Sequence, residues 1–226
     1  MMMQKTEATI LSIENPFGDY YVIKLKPAEG LTWKAGEHAV FRLPGNEALE
    51  KESRIFSIAS VQAEGVLIVG TRTGREASAF KKALLSMQPG EVVSMQGPFG
   101  HFCVRDEVSP IVLFAGGVGV TPVRALTVEL ANSHTRPICI LFSSSDHYLF
   151  GEELAAIAEA NPQMALYKTA SADETQAKLA ELVERYGDAA YYYFSASPRV
   201  VNSVEELVRS KGVPKARIID DSMVGY

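Results

Sequence analysis

The sequence contains very little cysteine: only Cys103 and Cys139 occur among its 226 residues. Two cysteines cannot form a disulfide framework or a four-thiolate metal site. A plant-type iron–sulfur cluster takes four cysteine ligands, so none is expected within this chain. His38, His101 and His147 show no metal-ligand spacing, and we therefore expect no metal site.

Basic charge and long apolar runs are also scarce. The 22 Lys and Arg residues are outnumbered by 27 Asp and Glu, which gives a formal net charge of −5. A protein that binds nucleic acid needs a basic surface to displace counterions, so no nucleic-acid partner is expected. The longest apolar run, residues 111–123, is interrupted by glycines and is too short to span a membrane. Residues 1–7 lack the apolar segment of a signal peptide, and we expect a cytoplasmic protein.

The first half of the sequence has the pattern of an antiparallel barrel. Short, roughly alternating apolar runs occupy residues 8–13, 20–25, 38–43, 54–58, 66–69 and 92–95. Turn signals separate these runs at Asn15-Pro16, Gly30, Pro44-Gly45, Gly65 and Pro89-Gly90. One helix is predicted over residues 76–86. Many short strands with little helix indicate a small antiparallel β-barrel.

The second half has a different period. Continuous apolar runs at residues 111–114, 138–142, 164–167, 191–194 and 217–219 are typical of strands buried on both faces. Four segments with helical spacing lie between them, which predicts a parallel sheet wrapped by helices. The polar segment 105–110 separates the halves, so we predict one domain at residues 1–106 and a second at residues 107–226.

A glycine-rich turn follows the first strand of the second half. It reads Gly116-Gly117-Val-Gly119-Val-Thr121-Pro122. Glycines allow a ligand to approach the backbone closely, and a helix N-terminus presents free N–H groups that suit a pyrophosphate. Thr121 is predicted to cap this helix, with Pro122 in its first turn. The alternative is a tight strand-to-helix turn that binds no ligand.

This turn lacks the third glycine of the common G-x-G-x-x-G fingerprint. Its G-G-x-G-x-T-P wording resembles the pyridine-nucleotide domain of the ferredoxin–NADP reductase superfamily. Three further segments resemble the same superfamily: Arg54-Ile-Phe-Ser matches its flavin motif, residues 71–80 its flavin-pyrophosphate segment, and residues 85–102 its closing strand and Gly-Pro-x-Gly loop. The four segments occur in the family's order.

The resemblance implies an FAD/NAD(P)-binding oxidoreductase similar to flavodoxin and ferredoxin reductases. Its expected fold is β + α/β, an N-terminal antiparallel Greek-key β-barrel that holds FAD, followed by a parallel-sheet α/β domain that holds NAD(P)H. A hydride would pass between NAD(P)H and flavin N5, with the reacting atoms about 3–3.5 Å apart. The implied catalytic positions are Phe56, Ser57 and Ser195. The implied cofactor-binding residues are Arg54, Phe56, Ser57, Ile58, Arg72, Gly74, Ala77, Ser78, Gly116, Gly117, Gly119, Thr121, Pro122 and Tyr226.

Several of these residues have a second interpretation. Arg54 would give a guanidinium fork to a phosphate and Phe56 would cover the flavin ring, but an edge-strand arginine beside a core phenylalanine has the same pattern. Ser78 can be a plain helix cap. Ser195 stands where many members carry cysteine, and can be only a strand-end hydroxyl. Tyr226 can stack on the flavin or be a frayed end.

The preferred nucleotide and the acceptor are less clearly indicated. Residues 143–145 are serines and Asp146 would repel a ribose phosphate, which favours NADH. Electrons would pass to a separate ferredoxin- or flavodoxin-like protein or to a small molecule, with Arg75, Lys81 and Lys82 as a possible docking patch. Two alternatives remain open: an electron-relay subunit of a larger redox complex, and a reductase that uses free flavin as a diffusible substrate.

Overall fold

The structure is a computed structural model that describes residues 5–45, 52–131 and 136–222. Its two halves form two separate sheets, one antiparallel and one parallel. This confirms the predicted fold class. The chain passes from the first sheet to the second over residues 100–110, a segment that contains the predicted domain boundary.

The first sheet has six antiparallel strands in the order β4-β3-β6-β1-β2-β5. A backbone hydrogen bond from Ala59 N to Ile68 O, 2.7 Å long, links the end of β4 to β5 and brings the two edges of the sheet together. The elements of this half are β1 (Lys5–Phe17), β2 (Tyr20–Pro27), β3 (His38–Arg42), β4 (Ser53–Ser57), β5 (Leu67–Arg72), α1 (Ala79–Ser86) and β6 (Val92–Phe99).

Alternating side chains fill the interior of this barrel. Ile23 and Leu25 of β2 point inward with Phe41 of β3, and Phe80 and Leu84 of α1 pack against the same cluster. Each inward residue is separated from the next by one that faces outward, as the two-residue period of a strand requires. The helix α1 therefore closes the barrel with its apolar face.

The second sheet has five parallel strands in the order β11-β10-β7-β8-β9. Helices α2 and α3 cover one face, and α4 and α5 cover the other, so both faces are buried. The elements of this half are β7 (Ile111–Gly116), α2 (Val120–Leu130), β8 (Ile138–Ser143), α3 (Gly151–Ala160), β9 (Met164–Thr169), α4 (Ala172–Tyr186), β10 (Tyr191–Ala196), α5 (Pro198–Ser210) and β11 (Ile218–Ser222). No helix in the described ranges is long and apolar enough to cross a bilayer.

Two sequence predictions about local structure in the barrel half were wrong. The turn predicted at Asn15-Pro16 does not occur, because β1 continues to Phe17. The Asn15 side chain donates to the carbonyls of Gly18 and Tyr20 instead, and so stabilises a turn three residues later. Pro16 lies at a register irregularity between β1 and β2, where its missing N–H leaves no ladder bond unmade.

The helix predicted from residue 76 begins only at Ala79. Gly74 has a φ of +68°, a conformation that no helical residue adopts, and Ser78 is the N-cap in an extended conformation. The residues between them therefore form a loop that leads into α1.

Arg124 of α2 joins the two sheets. Its side chain is 5% exposed and forms ion pairs with Glu64, which lies between β4 and β5, and with Glu153 of α3. It also donates to the carbonyl of Ala59 at 2.7 Å. One buried guanidinium therefore connects the barrel to two helices of the parallel domain.

Candidate active site

Arg54 and Lys81 place two positive charges at one edge of the barrel. The guanidinium of Arg54 lies over Phe80, 5.7 Å from the ring centre, and one terminal nitrogen donates to the carbonyl of Ser53. Its Nε is buried and has no hydrogen-bond partner among the described residues. Lys81 is buried too, and donates to the carbonyl of Arg72 at 2.5 Å. Burial, together with the charge of Arg54, lowers the pKa of Lys81 to about 8.

A buried donor without an acceptor requires an explanation, since such groups are rarely left unpaired. The Nε of Arg54 would be satisfied by an anion at this edge, and the neighbouring Lys81 would add charge to the same site. A phosphate group has the oxygen acceptors that a guanidinium recognises. The residues present therefore fit the pyrophosphate of FAD, which is the group that the sequence motifs imply here.

Ser78 and Gly74 shape the turn beside this edge. The Ser78 hydroxyl accepts a hydrogen bond from Lys81 N at 3.3 Å, so it caps α1 as its second interpretation predicted. Gly74 donates its N–H to a carboxylate oxygen of Asp19 at 2.9 Å. Ala77 is half-buried between them. A direct contact of these residues with FAD stays a prediction.

Phe56 does not present its ring at the surface. It is 4% exposed and packs edge-to-face on Phe41, with ring centres 5.4 Å apart. Arg54 and Phe56 do share one side of β4, because both reach Phe80. The structure supports the second interpretation, a core phenylalanine. Ile58 is likewise fully buried in the barrel core.

Ser57 and Ser195 meet at the junction of the two sheets through a residue that the sequence analysis did not select, Asp221. The Ser57 hydroxyl donates to a carboxylate oxygen of Asp221 at 2.9 Å. Asp221 on β11 is the register neighbour of Ser195 on β10. Ser195 is fully buried, and its hydroxyl has no partner in the described part of the chain. Burial raises the pKa of Asp221, because loss of water disfavours the carboxylate.

His38 interacts electrostatically with the same junction. Its ring packs edge-on against Phe99 at 4.6 Å, and burial lowers the pKa of its imidazole, although the charge of Asp221 opposes that shift. Packing against Phe99 gives His38 a structural role in the barrel.

The glycines of the β7–α2 turn serve two purposes. A Cβ on Gly119 would lie 2.1 Å from the carbonyl oxygen of Ser195, and a Cβ on Gly116 would lie 2.7 Å from the Cβ of Ala196. Both glycines are therefore needed so that the turn can pack against the end of β10. Gly117 differs, since it has a φ of +54° and open space around it except for the Tyr20 hydroxyl at 3.9 Å. Gly116, Gly117 and Val118 all line the cavity above this turn, and Gly117 has the most free space around its Cα.

Thr121 does not cap α2 as predicted. The helix begins at Val120 with Gly119 at the N-cap, and the Thr121 hydroxyl donates to the carbonyl of Val118 at 2.8 Å. Thr121 is buried inside the first turn, where its hydroxyl cannot reach a ligand. Pro122 does occupy the first turn, as expected. The first turn carries no acidic residue, so its N–H groups keep the partial positive charge that attracts an anion.

A cavity of about 740 Å³ opens above this turn, at the carboxyl ends of β7, β8 and β10. Among the described residues, no Asp or Glu lines it. The lining residues come from the glycine turn, the β8 and β9 ends, the first turns of α4 and α5, and the barrel. They include Tyr20, Arg72, Phe114, Ser143, Arg199 and Ser203. Open α/β sheets bind ligands at this edge.

Arg72 points toward this cavity from the barrel. Its Nε donates to both carboxylate oxygens of Asp19, at 3.1 and 2.9 Å, and one terminal nitrogen donates to Asp146 at 2.6 Å. The guanidinium also stacks on the Tyr20 ring at 4.6 Å. The sequence assigned Arg72 to the flavin. In the structure, its side chain lies between the barrel and this cavity.

Two further predictions concern the docking patch and Tyr226. Lys81 is buried, so it cannot belong to an exposed docking patch with Arg75 and Lys82. Tyr226 lies outside the described residues. Within those residues, no group of His, Cys, Asp and Glu is arranged to hold a metal ion.

Comparison with known proteins identifies similar reductases. The chain is 24% identical over 206 residues to the toluate 1,2-dioxygenase electron transfer component of Pseudomonas putida, an alignment that covers 86% of this chain and 60% of that protein. It is 29% identical over 130 residues to the propane 2-monooxygenase reductase component of Mycolicibacterium goodii, covering 55% of this chain and 36% of the relative. No family model matches the chain.

Among solved structures, the ferredoxin–NADP+ reductase of Plasmodium falciparum superposes with a TM-score of 0.79 at 14% identity, over 98% of this chain and all of that one. The chain therefore has the ferredoxin reductase-like fold, and the two curated relatives are named as an electron transfer component and a reductase component. The resemblance that the motifs indicated is confirmed. The chain spans less than two thirds of the length of both curated relatives.

Proposed function

We propose that this ferredoxin reductase-like chain is an NAD(P)H-dependent flavoprotein oxidoreductase that passes electrons to a separate acceptor. The hydrogen bond from Ser57 to Asp221 carries the proposal. It joins the strand that begins at the phosphate-binding edge of the barrel to the carboxyl end of the parallel sheet. A flavin held by the barrel and a nucleotide held by the sheet would meet at this junction.

On the barrel side, Arg54 and Lys81 would hold the pyrophosphate of FAD. The buried, unpaired Nε of Arg54 supports this assignment most strongly, because an anion would satisfy it. The N-terminus of α1 begins beside Lys81 and adds its dipole. Phe56 and Ile58 would support the site from the barrel core without contacting the ring.

On the sheet side, the open backbone at Gly117 and the first turn of α2 would bind the nucleotide pyrophosphate. Gly116 and Gly119 act indirectly, because they allow the turn to pack against Ser195 and Ala196. The methyl group of Ala196, which replaces the family's usual glycine, faces the space that Gly116 leaves open. Its presence is thus compatible with the turn.

At the junction, the protein supplies orientation and proton control. FAD, when bound, would supply the redox chemistry between NAD(P)H and the acceptor. Ser57 is held in one orientation by Asp221. The raised pKa of Asp221 lets this carboxyl group hold a proton nearer neutral pH than a hydrated aspartate can. Ser195 offers a buried hydroxyl that no described residue engages.

The acceptor belongs to the proposal as well. Two relatives are named as electron transfer or reductase components of oxygenases, which supports a separate protein acceptor for this chain. No described cysteine cluster could carry an internal iron–sulfur centre. A cytoplasmic location, as the sequence suggests, is part of the same proposal.

The visible absorption spectrum of the purified protein tests the proposal. We expect flavin bands near 370 and 450 nm, roughly the wavelengths of the cofactor itself, that bleach when NADH or NADPH is added without oxygen. Bands that persist with both nucleotides would support the relay-subunit alternative instead. A protein that purifies colourless but reduces exchangeable added flavin would support the free-flavin alternative. A protein that binds no FAD contradicts all three.

A further inference from the structure

Lys81 is a buried lysine at the barrel edge to which the sequence motifs assign the flavin pyrophosphate. It is the third residue of α1 and is 6% exposed, whereas the next residue, Lys82, is exposed. The sequence grouped the two lysines in one docking patch, but only Lys82 lies at the surface. Because removal of an ammonium group from water is costly, lysine is almost never fully buried without a partner. The burial of Lys81 therefore requires an explanation.

The charged groups around Lys81 come from three neighbouring elements. Its Nζ donates to the carbonyl of Arg72 on β5 at 2.5 Å. The positive charge of Arg54 on β4 disfavours the ammonium form, and the negative charge of Asp19, between β1 and β2, favours it. Asp19 is already engaged, because its carboxylate accepts from Arg72 Nε at 2.9 and 3.1 Å and from Gly74 N at 2.9 Å. Arg54 and Lys81 thus repel each other, and the compensating carboxylate is shared with Arg72.

Two buried polar atoms near Lys81 indicate that an anion binds at this edge. The Nε of Arg54 and the hydroxyl of Thr71 are buried without a hydrogen-bond partner in the part of the chain that the structure describes. Thr71 is fully buried and directly precedes the residue whose carbonyl accepts from Lys81. Native structures rarely leave buried donors unpaired. A pyrophosphate, which is rich in acceptor oxygens, would satisfy both donors and reduce the repulsion between the two cations.

Lys81 can lose its proton near physiological pH, which Arg54 cannot. Burial, together with the charge of Arg54, lowers the pKa of Lys81 to about 8. An arginine stays charged over the whole range in which proteins are studied. A bound pyrophosphate would raise the pKa of Lys81 again, because an opposite charge favours the ammonium form. By reciprocity, the ammonium form must then bind the flavin more tightly than the neutral amine does.

We infer that Lys81 controls the retention of FAD: with a proton on Nζ it binds the pyrophosphate, and after loss of that proton the contact disappears. The inference rests on the proposed function and adds regulation by pH to its flavin site. The chain would hold FAD as a resident cofactor at neutral pH and exchange it faster in alkaline solution. A retained flavin and a diffusible flavin, which the sequence leaves as alternatives, would then be two states of one site.

Equilibrium binding of FAD to the full chain freed of flavin tests this inference without turnover. Quenching of flavin fluorescence would give the Kd at about pH 7 and about pH 9, on either side of the pKa of Lys81. The proteins compared are the wild type, Lys81→Met, Lys81→Arg and Lys82→Met. Lys82 is the matched control, because it is the next residue of the same helix, carries the same charge and is exposed. Riboflavin, which has no phosphate, is titrated in parallel.

We expect the wild type to bind FAD about tenfold more weakly at the higher pH, because a lysine with a pKa of about 8 must then take up a proton on binding. Lys81→Met should bind FAD weakly at both pH values. Lys81→Arg keeps a charge that does not titrate, so it should bind FAD tightly at both. Lys82→Met should behave as the wild type does.

Three results overturn the inference and leave the proposed function intact. The first is an FAD affinity of the wild type that does not change with pH. The second is a pH dependence that persists in Lys81→Met, and the third is an equal pH dependence for riboflavin, which would show that the phosphates are not involved. Failure of the wild type to bind FAD at either pH contradicts the proposed function as well.

Discussion

Replacement of Arg124 by methionine tests how the barrel is attached to the parallel domain. Four of the guanidinium bonds go to carboxylates: Nε and Nη2 to Glu153 at 2.9 and 2.5 Å, and Nη1 and Nη2 to Glu64 at 2.9 and 2.7 Å. The fifth goes to the carbonyl of Ala59. All five N–H donors are therefore used, and methionine fills similar volume while it removes every bond.

Arg124→Met should lower stability because the carboxylates of Glu64 and Glu153 lose their positively charged partner. Removing one partner of a fully buried ion pair costs about 3–5 kcal/mol, because the other charge is left without compensation. The carboxylates of Glu64 and Glu153 are 24% and 41% exposed, so water recovers part of that cost. We expect the free energy of unfolding to fall by about 2–4 kcal/mol, and the melting temperature by on the order of 10 °C.

Urea unfolding followed by two probes provides the assay. Fluorescence of Trp33, which is buried in the barrel core, reports the first domain, and far-ultraviolet circular dichroism reports mainly the helices of the second. Both transitions are expected to shift together. Arg209→Met, which removes an exposed pair, should change stability by less than about 0.5 kcal/mol.

A double substitution distinguishes loss of the Arg124 ion pairs from a general loss of stability. Glu64→Gln removes one of the charges that Arg124→Met leaves unpaired, so the two effects should sum to clearly more than the effect of the double variant. A loss below about 1 kcal/mol for Arg124→Met, or strict additivity with Glu64→Gln, would refute the reasoning.

Three further outcomes are expected. Arg54→Gln should weaken FAD binding by about tenfold or more in a fluorescence titration, because the buried phosphate donor is lost. The control Arg42→Gln removes an exposed ion pair and should leave FAD binding unchanged. Equal effects of the two substitutions would contradict the assignment of Arg54. Gly116→Ala should lower the free energy of unfolding by about 1–3 kcal/mol, because the new Cβ would lie 2.7 Å from the Cβ of Ala196. Adding Ala196→Gly to the same chain should restore most of the lost stability. If stability is not restored, the clash lies elsewhere. Asp221 has a raised folded-state pKa, so its stabilising contribution is present at low pH and declines as the pH rises through that pKa. The Asp221→Asn variant should therefore gain stability relative to the wild type as the pH rises. A stability difference that does not change with pH would contradict this expectation.

Much of the fold could be predicted because its signals are local. Alternation in the first half and continuous apolar runs in the second distinguish a sheet with one buried face from a sheet with two. The failures are equally physical. Pro16 was interpreted as a turn residue, but it lies at a register irregularity of β1 where no N–H is required. Thr121 has the usual chemistry of a cap, but Gly119, which packs against Ser195, is the N-cap, so the helix starts two residues earlier.

The active site was less predictable, because its contacts join distant segments. Ser57 and Asp221 are 164 positions apart, and no local pattern marks Asp221 as the partner of a barrel serine. The side of β4 on which Phe56 lies depends on Phe41 and Phe80, so spacing alone could place it beside Arg54 but not decide between core and surface. The motifs are local and could be read from the sequence, whereas the packing around each of their residues depends on distant segments.

The rate constant for anaerobic flavin reduction in Ser57→Ala tests the central claim that hydride transfer takes place at the barrel–sheet junction. It would be measured by rapid mixing of the FAD-loaded protein with NADH or NADPH, with Ser12→Ala, a half-buried serine of β1 whose hydroxyl donates to Glu14, as the control. The account predicts that Ser57→Ala retains FAD while the reduction rate falls by about tenfold or more, as loss of an orienting hydroxyl at the reacting atoms requires. A variant that retains FAD and is reduced as fast as the wild type would contradict the account.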